Sequence, residues 1–462
     1  MEFNFQMFMK RILLSLIVAV VSIISGYAQV ECWSGKLAVG PSALNVEFVI
    51  KSQPDGSQVC TLNVPAQGAK NIPTSLIKNT SDSIEIAIPL LNATYAGRKV
   101  SAESAEGAFT QHGVKLPLSL KLEGIELNRP QTPVAPFPYH TEEVTFKNEA
   151  EGAVLSGTLT YPIGYEQMAK ESVPVVLMVT GSGAQNRDEE MFGHKPFLVI
   201  ADFLARNGVA SLRYDDRGVG KSTGSTVGIT TENNFADAKA GVSYLRSLKE
   251  FGKIGVLGHS EGGTIAFMLG ADKSVDFLIS LAGSAAPGIE VIAGQNKAIM
   301  QQQGSPQSII SDYASALRIL YKDRVGGKEI ADSKQYVEQL CVDNTLNLPP
   351  ALKDNLEKCI SAGGEWFTWF LKYDPAEAIK EITCPVMALN GDLDMQVLSM
   401  DNLPIIEKNL PHNEKSIIRE YRGMNHLFQH TTPSVGINYG SIEETISEEV
   451  LCDIHSWIEA IK

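Results

Sequence analysis

Positive charge is scarce in this sequence. Its 462 residues carry 39 Lys and Arg against 53 Asp and Glu, a net −14 at pH 7, and a surface of that sign repels nucleic-acid phosphates and anionic lipid headgroups. Nucleic acid is excluded as a main partner. Cysteine is sparse as well: Cys32, Cys60, Cys341, Cys359, Cys384 and Cys452 form no CxxC and no Cys/His ligand spacing, so neither a metal site nor a dithiol redox centre is expected. No repeat of about 40 to 50 residues runs through the chain, which excludes a propeller. Long apolar runs are missing except for one, "ILLSLIVAVVSIIS" behind Lys10 and Arg11. It is shorter than the roughly 20 residues of a membrane span. Gly26 and Ala28 then place small residues before Gln29, the pattern of a cleaved secretory signal. The expectation is a signal peptide over residues 1–28, a secreted or periplasmic location, and no stable membrane insertion after cleavage. Export permits disulfides. Cys32 with Cys60 and Cys341 with Cys359 are the local pairings, and isolated buried thiols are the alternative.

What is present reads as globular: 44% hydrophobic and 20% charged residues, in a chain long enough for two or three units at about 100 to 200 residues each. Residues 29–127 contain short segments rich in β-branched and aliphatic residues, "LNVEFVI", "QVCTLNV", "SIEIAIPL" and "LPLSLKL", divided by turn signals such as "QPDGS" and "NTSD". They predict a small all-β domain, an antiparallel sandwich or barrel. "NRPQTPVAPFPYH" follows, and its four prolines make residues 128–138 a stiff linker. From 139 to 462 apolar strands alternate with helical periodicity, which predicts a mostly parallel sheet covered on both faces. Residues from about 285 to 373 interrupt that alternation with helices alone and read as a helical cap.

The chemistry sits in this second region. In "KIGVLGHSEGG" an apolar strand runs into a serine flanked by glycines, and a helical stretch follows. That is the sharp strand-to-helix turn which lifts a nucleophile above the sheet of an α/β-hydrolase, so Ser260 is the candidate nucleophile. In that fold the acid and the histidine follow in chain order. "CPVMALNGDLDMQV" offers Asp394, preferred to Asp392, and "GMNHLFQH" offers His426, preferred to His430. Two backbone N–H groups should bind the developing oxyanion: that of Glu261, next after the nucleophile, and one from the loop "GSGAQNRDE", at Ser182 or Gly183. Arg187 and Asp188 are expected to brace this loop by an ion pair, and His259 to point away from the site and pack. "GSGAQN" lacks the third glycine of a dinucleotide fingerprint, and "GVGKSTG" has Asp215 where a phosphate-binding loop begins with glycine. No cofactor and no metal is expected.

On "GSGAQNRDE", "YDDRGVGKSTG", "GHSEGG", "WFLKYDP", "CPVMALNGDLDMQV" and "GMNHLFQ", residues 139–462 resemble secreted bacterial α/β-hydrolases of the esterase and serine-aminopeptidase type, also described as acylaminoacyl-peptidase-like. The resemblance implies an α/β-hydrolase fold with a helical cap insertion behind the all-β domain. It also implies that Asp216, Arg217, Gly218, Gly220 and Ser222 form a structural loop. Ala184 and Asn186 depart from the proline and acidic residue common in such loops. The expected activity is a serine carboxylesterase working through an acyl-enzyme on a small ester. The alternative is an aminopeptidase or acyl-peptidase acting on a short peptide with the same triad, for which Glu290 and Glu365 are the candidate carboxylates for a substrate N-terminus. The oligomeric state is not encoded in any of these motifs.

Overall fold

A computed structural model describes residues 30–39, 42–52, 57–123, 128–433, 435 and 439–462. The expected signal segment, residues 1–28, lies outside the described residues. The chain separates into two compact units, and the division falls after Arg129, within the proline-rich segment.

The first unit is one antiparallel sheet. Its strands are β1 (Val30–Val39), β2 (Ser42–Ser52), β3 (Gln58–Val64), β4 (Ala69–Pro73), β5 (Ser75–Asn79), β6 (Ser83–Ile88), β7 (Ala93–Ser101), β8 (Ser104–Gln111) and β9 (Val114–Leu122), in the order β4-β3-β2-β1-β9-β8-β7-β6-β5. The two outermost strands, β4 and β5, are separated in the chain by Thr74 alone, whose N–H and hydroxyl both donate to the Cys60 carbonyl, at 3.3 and 2.7 Å. The sheet therefore curls back on itself into a near-barrel, and of the two expected all-β architectures the barrel is the one formed. Alternation along each strand fills the interior: Trp33, Phe48, Ile50, Leu62, Ile84, Ile86 and Tyr95 are all buried. Short stretches around Phe192 and Tyr439 cluster with this unit. There the Phe192 and Tyr439 rings lie 5.2 Å apart, and the Arg129 guanidinium donates to the carbonyls of Phe192, Gly440 and Ile442.

The second unit is an eight-stranded sheet. Its strands are β10 (Thr141–Asn148), β11 (Ala153–Thr160), β12 (Val175–Val179), β13 (Ala210–Tyr214), β14 (Ile254–His259), β15 (Phe277–Leu281), β16 (Val386–Gly391) and β17 (Ile417–Tyr421). They lie in the order β10-β11-β13-β12-β14-β15-β16-β17. The first two pairings are antiparallel and the rest parallel. Around them run α1 (Pro196–Arg206), α2 (Thr231–Leu248), α3 (Glu261–Ala271), α4 (Gly288–Gln302), α5 (Gln307–Val325), α6 (Ser333–Asp343), α7 (Pro350–Ser361), α8 (Glu365–Lys372), α9 (Pro375–Ile379), α10 (Ser399–Asn409) and α11 (Glu448–Ile461). This is the strand order and crossover pattern of an α/β-hydrolase.

The central strands are apolar throughout because both sheet faces are covered. Along β12, Val175, Leu177 and Val179 join the core that holds Phe267, Val242 and Leu245, while Val176 and Met178 join the opposite core with Phe197, Leu204, Ile454 and Trp457. The chain leaves β12 for β13 on one side and reaches β14 on the other. That reversal opens a crevice at the carboxyl ends of β12 and β14, the usual ligand position in such sheets. Helices α4 to α8 form the cap between β15 and β16, with a core of their own around Ile310, Leu317, Leu320, Val337, Leu356 and Leu371.

The local disulfides are not formed: all six cysteines are free thiols. Cys32 pairs across the sheet with Val49 and Cys60 with Ile50, neighbours on β2. Adjacent residues of one strand face opposite sides, so Cys60 points into the barrel and Cys32 out of it. In the cap, Cys359 Sγ is turned to Asn355 Oδ1 at 3.5 Å and Cys341 is buried among aliphatic side chains. Alkylation of the denatured, unreduced protein should therefore label all six thiols by mass, and a species short by a pair of labels would show a disulfide.

Candidate active site

The turn between β14 and α3 is built by glycines. A Cβ on Gly258 would run into the Gly262 carbonyl, one on Gly262 into the carbonyls of Val179 and Thr180, and one on Gly263 would lie 2.6 Å from Gly283 Cα. Removing those side chains lets α3 start directly against the ends of β12 and β15. Between them Ser260 takes φ 55° and ψ −117°, a conformation that a residue with a Cβ adopts only under constraint. Its N–H is held by the Leu281 carbonyl at 2.9 Å. The Ser260 side chain stands half-buried at the carboxyl end of β14, and the Glu261 N–H behind it is the first of α3, one of those without an intrahelical acceptor.

The loops after β16 and β17 bring the expected acid and histidine together. His426 Nδ1 and Asp394 Oδ2 are 2.7 Å apart, with both side chains buried. The other Asp394 oxygen accepts the N–H groups of Gln396 and Val397, at 2.7 and 2.9 Å, which fixes the carboxylate plane. With Asp394 accepting at Nδ1, that nitrogen carries the proton and Nε2 keeps its lone pair. Asp392 is a brace instead: Oδ1 accepts the Gly423 N–H at 2.7 Å. His430 is exposed and turned to Glu444. The His426 loop is pinned from within by Asn425, whose Oδ1 accepts from Leu427 and Gln429.

The loop after β12 passes beside the serine. A Cβ on Gly181 would lie 3.2 Å from Ser260 Cβ. Of the loop's amides, that of Gly181 is taken by Glu189 Oε1 at 2.7 Å. The two expected donors, Ser182 and Gly183, are exposed, and Gly183 has φ +100°. Arg187 and Asp188 do brace the loop, but not as a pair with each other. Arg187 binds Asp215 at 2.8 Å and Glu143 at 2.7 Å, and Asp188 is paired with Arg213. Of these partners the "YDDRG" stretch supplies Asp215, and its next two residues are also held in internal contacts. Asp216 accepts from Thr180 Oγ1 and the Gln185 N–H, and Arg217 grips Asp237.

His259 does not simply pack away from the site. Its ring is buried 4.7 Å from that of His426, with Nδ1 2.9 Å from Glu189 Oε1 and Nε2 2.9 Å from the His426 carbonyl oxygen. Sequence reasoning missed Glu189, which stood in plain view at the end of "GSGAQNRDE" but lacks any local pattern separating it from Glu190. Burial, with the neighbouring Glu261 and Glu189 charges behind it, pushes the Asp216 carboxyl up to about 8 against the hydrogen bonds from Gln185 and Thr180. The cap reaches the same place: Trp366 Nε1 on α8 donates to Glu261 Oε1 at 3.0 Å, and Thr231 Oγ1 does so at 2.7 Å. Of the two cap carboxylates singled out for peptides, Glu290 is bound to Arg318 at 2.8 Å and Glu365 is exposed. Among the described residues no cluster of three or more His, Cys, Asp or Glu is arranged to hold a metal.

Residues 151–419 match the family model described as X-Pro dipeptidyl-peptidase (S15 family). The chain belongs to that family. It is also similar to the esterase EstD of Thermotoga maritima, 27% identical over 300 residues. That similarity covers 64% of this chain, and the chain spans 64% of the relative's length. Among solved structures it is similar to the Pyrococcus furiosus esterase Pf2001 at 16% identity and TM-score 0.39, over 70% of this chain and 93% of that one. It is likewise similar to Est1E of Butyrivibrio proteoclasticus, seen with ferulic acid, at 17% identity and TM-score 0.41 over 69% and 98%.

Two measurements check this geometry. Gly262→Ala would ordinarily gain about 1 kcal/mol of helix propensity; here the contact with Val179 should reverse the sign to a loss of about 1–3 kcal/mol in denaturant unfolding. Asp216 binds its proton more tightly folded than unfolded, so its contribution to stability is fully present below about pH 4 and lost as pH rises to about 8. Asp216→Asn should flatten that part of the stability–pH curve, and an unchanged slope would place the titration elsewhere.

Proposed function

We propose that this protein is a serine hydrolase that cleaves carboxylic esters through an acyl-enzyme, with Ser260, His426 and Asp394 as its triad. The observation that carries this reading is the Asp394–His426 hydrogen bond, formed at the carboxyl edge of the sheet where a strained turn presents Ser260. Ser260 Oγ attacks the ester carbonyl carbon while His426 Nε2 takes its proton. Asp394 holds the Nδ1–H and stabilises the imidazolium that forms. The negative oxygen of the tetrahedral intermediate meets the Glu261 N–H and an N–H of Ser182 or Gly183. Collapse expels the alcohol, which takes the proton from His426. Water, deprotonated by the same nitrogen, then releases the acid and restores Ser260.

EstD's description as an esterase supports the ester substrate. Family membership supports a second reading, an aminopeptidase or acyl-peptidase with the same triad. Against an aminopeptidase, Glu290, one of the two cap carboxylates offered for a substrate ammonium group, is already paired with Arg318. The basic start, apolar run and small residues before Gln29 support export to the periplasm or the medium. No helix among the described residues is long and apolar enough to cross a membrane.

Release of p-nitrophenol from short-chain p-nitrophenyl esters, run beside p-nitroanilide release from aminoacyl, N-acylaminoacyl and X-Pro substrates, separates the readings. Ester turnover should dominate, fall by roughly 10⁶ in kcat in Ser260→Ala and by about 10⁴ in Asp394→Asn. Dominant anilide turnover would establish the peptidase, and activity surviving Ser260→Ala would overturn the triad.

A further inference from the structure

His259 lies where two loops of the candidate site meet, and its hydrogen bonds fix its protonation. Nε2 is 2.9 Å from the His426 carbonyl oxygen. A carbonyl only accepts, so Nε2 carries a proton. Nδ1 is 2.9 Å from Glu189 Oε1, an oxygen that already accepts the Gly181 N–H at 2.7 Å. That contact is a hydrogen bond only if one further proton sits between ring and carboxylate, and with side chains 6% and 1% exposed no bulk water can take its place. The pair therefore holds two protons, one on Nε2 and one shared between Nδ1 and Glu189 Oε1.

The backbone points the same way. Glu189 sits in the left-handed region at φ 51°, where a side chain with a Cβ is strained and must be held by its contacts. Its carboxylate reaches the first amide of the loop that carries Ser182 and Gly183. His259, one residue before the nucleophile, reaches the carbonyl of the histidine itself. One chain of three hydrogen bonds thus runs from Gly181 through Glu189 and His259 to His426.

We propose that His259 and Glu189 are positioning residues whose shared proton ties the loop after β12 to the His426 loop, so that loss of this proton releases both and slows turnover. This rests on the proposed triad. The groups around the proton are Glu189 on the β12 loop, the His426 ring at 4.7 Å and Asp394 behind it, with Asp216 and Glu261 completing the carboxylates of the cluster. Burial disfavours the charged His259 ring, but the Glu189 charge, its hydrogen bond and the His426 carbonyl outweigh burial and raise the ring's pKa. The connection is intact below that raised pKa and lost above it, which gives an alkaline limb to kcat/KM.

The test is the pH profile of ester hydrolysis in the full chain. Glu189→Gln removes the charge that holds the proton, so the alkaline limb should move to lower pH, with kcat falling on the order of 10²-fold and KM little changed. His259→Ala should lose as much. His259→Gln keeps an N–H for the His426 carbonyl but has no proton to share with Glu189, so it should stay slow at every pH and show no alkaline limb. Variants that only lower Tm and leave the limb in place would overturn the proposal. Independently of turnover, the downfield proton spectrum of the resting protein should show, beside the His426 Nδ1–H held by Asp394, two ring N–H signals that vanish in His259→Gln, and loss of only one signal in that variant would overturn it. Failure of the triad itself appears differently, as activity that survives Ser260→Ala.

Discussion

The constraint on which the second unit's nucleophile turn depends is the passage of Gly262 across the carbonyls of Val179 and Thr180. Because no side chain intervenes, the first turn of α3 lies against the end of β12, and the loop that begins at Thr180 is carried past the nucleophile rather than away from it. The same corner brings Gly263 onto Gly283 at the end of β15, so three parallel strands terminate around one serine. Strain in Ser260 is a consequence of this packing. The helix cannot begin so close to the strands unless the connecting residue turns through positive φ, and the hydrogen bond from its N–H to Leu281 holds it there. The oxyanion donors, the base and the acid then need only be supplied by loops that already end at this edge.

Crowding carboxylates at that edge carries an electrostatic penalty, and the site meets it four different ways. Asp394 takes two backbone amides and the imidazole of His426. Glu189 takes the Gly181 amide and the ring of His259. Glu261 takes a hydroxyl from α2 and an indole from the cap. Asp216, enclosed with a hydroxyl and one amide, is driven toward its neutral form by its burial. Partner and charge thus differ group by group, and each solution ties a different element to the nucleophile turn: the β17 loop, the β12 loop, the cap, and the loop after β13.

Much of this was legible in the sequence wherever the signal is local. Ser260, Asp394 and His426 stand at the ends of apolar strands, flanked by the glycines or turn residues that such loops need, and the β strands of the first unit declare themselves by alternation. What escaped depends on distant closure. Barrel rather than sandwich is decided by Thr74 joining β5 to Cys60 of β3, which no window of sequence contains. The Cys32–Cys60 pairing failed on parity: the two flank β2 one residue out of step and so face opposite sides. Arg187 and Asp188, adjacent in sequence, serve different partners because they are the two central residues of a turn closed by the Glu189 N–H on the Asn186 carbonyl, and their side chains leave it in different directions. His259 was judged by its position beside the nucleophile, whereas its role is set by two groups about 70 and 167 residues away.

Ester and peptide chemistry share every group described at the edge of the sheet, so the choice between them is made above it. The cap is the element placed to make that choice, and its link to the nucleophile is specific. Trp366 bonds the side chain of Glu261, the residue whose backbone N–H is the proposed oxyanion donor. Its ring also lies parallel to Phe370 at 5.6 Å, while Phe367 packs on Tyr321 in the cap core. A shift of α8 therefore cannot leave Glu261 undisturbed: either the indole bond breaks, leaving a buried carboxylate short of a partner, or the first turn of α3 follows. Both outcomes are unfavourable. The cap's aromatic helix is thereby held in register with the catalytic turn, and whatever alcohol or amine fits beneath it is selected against a fixed reference rather than a free lid.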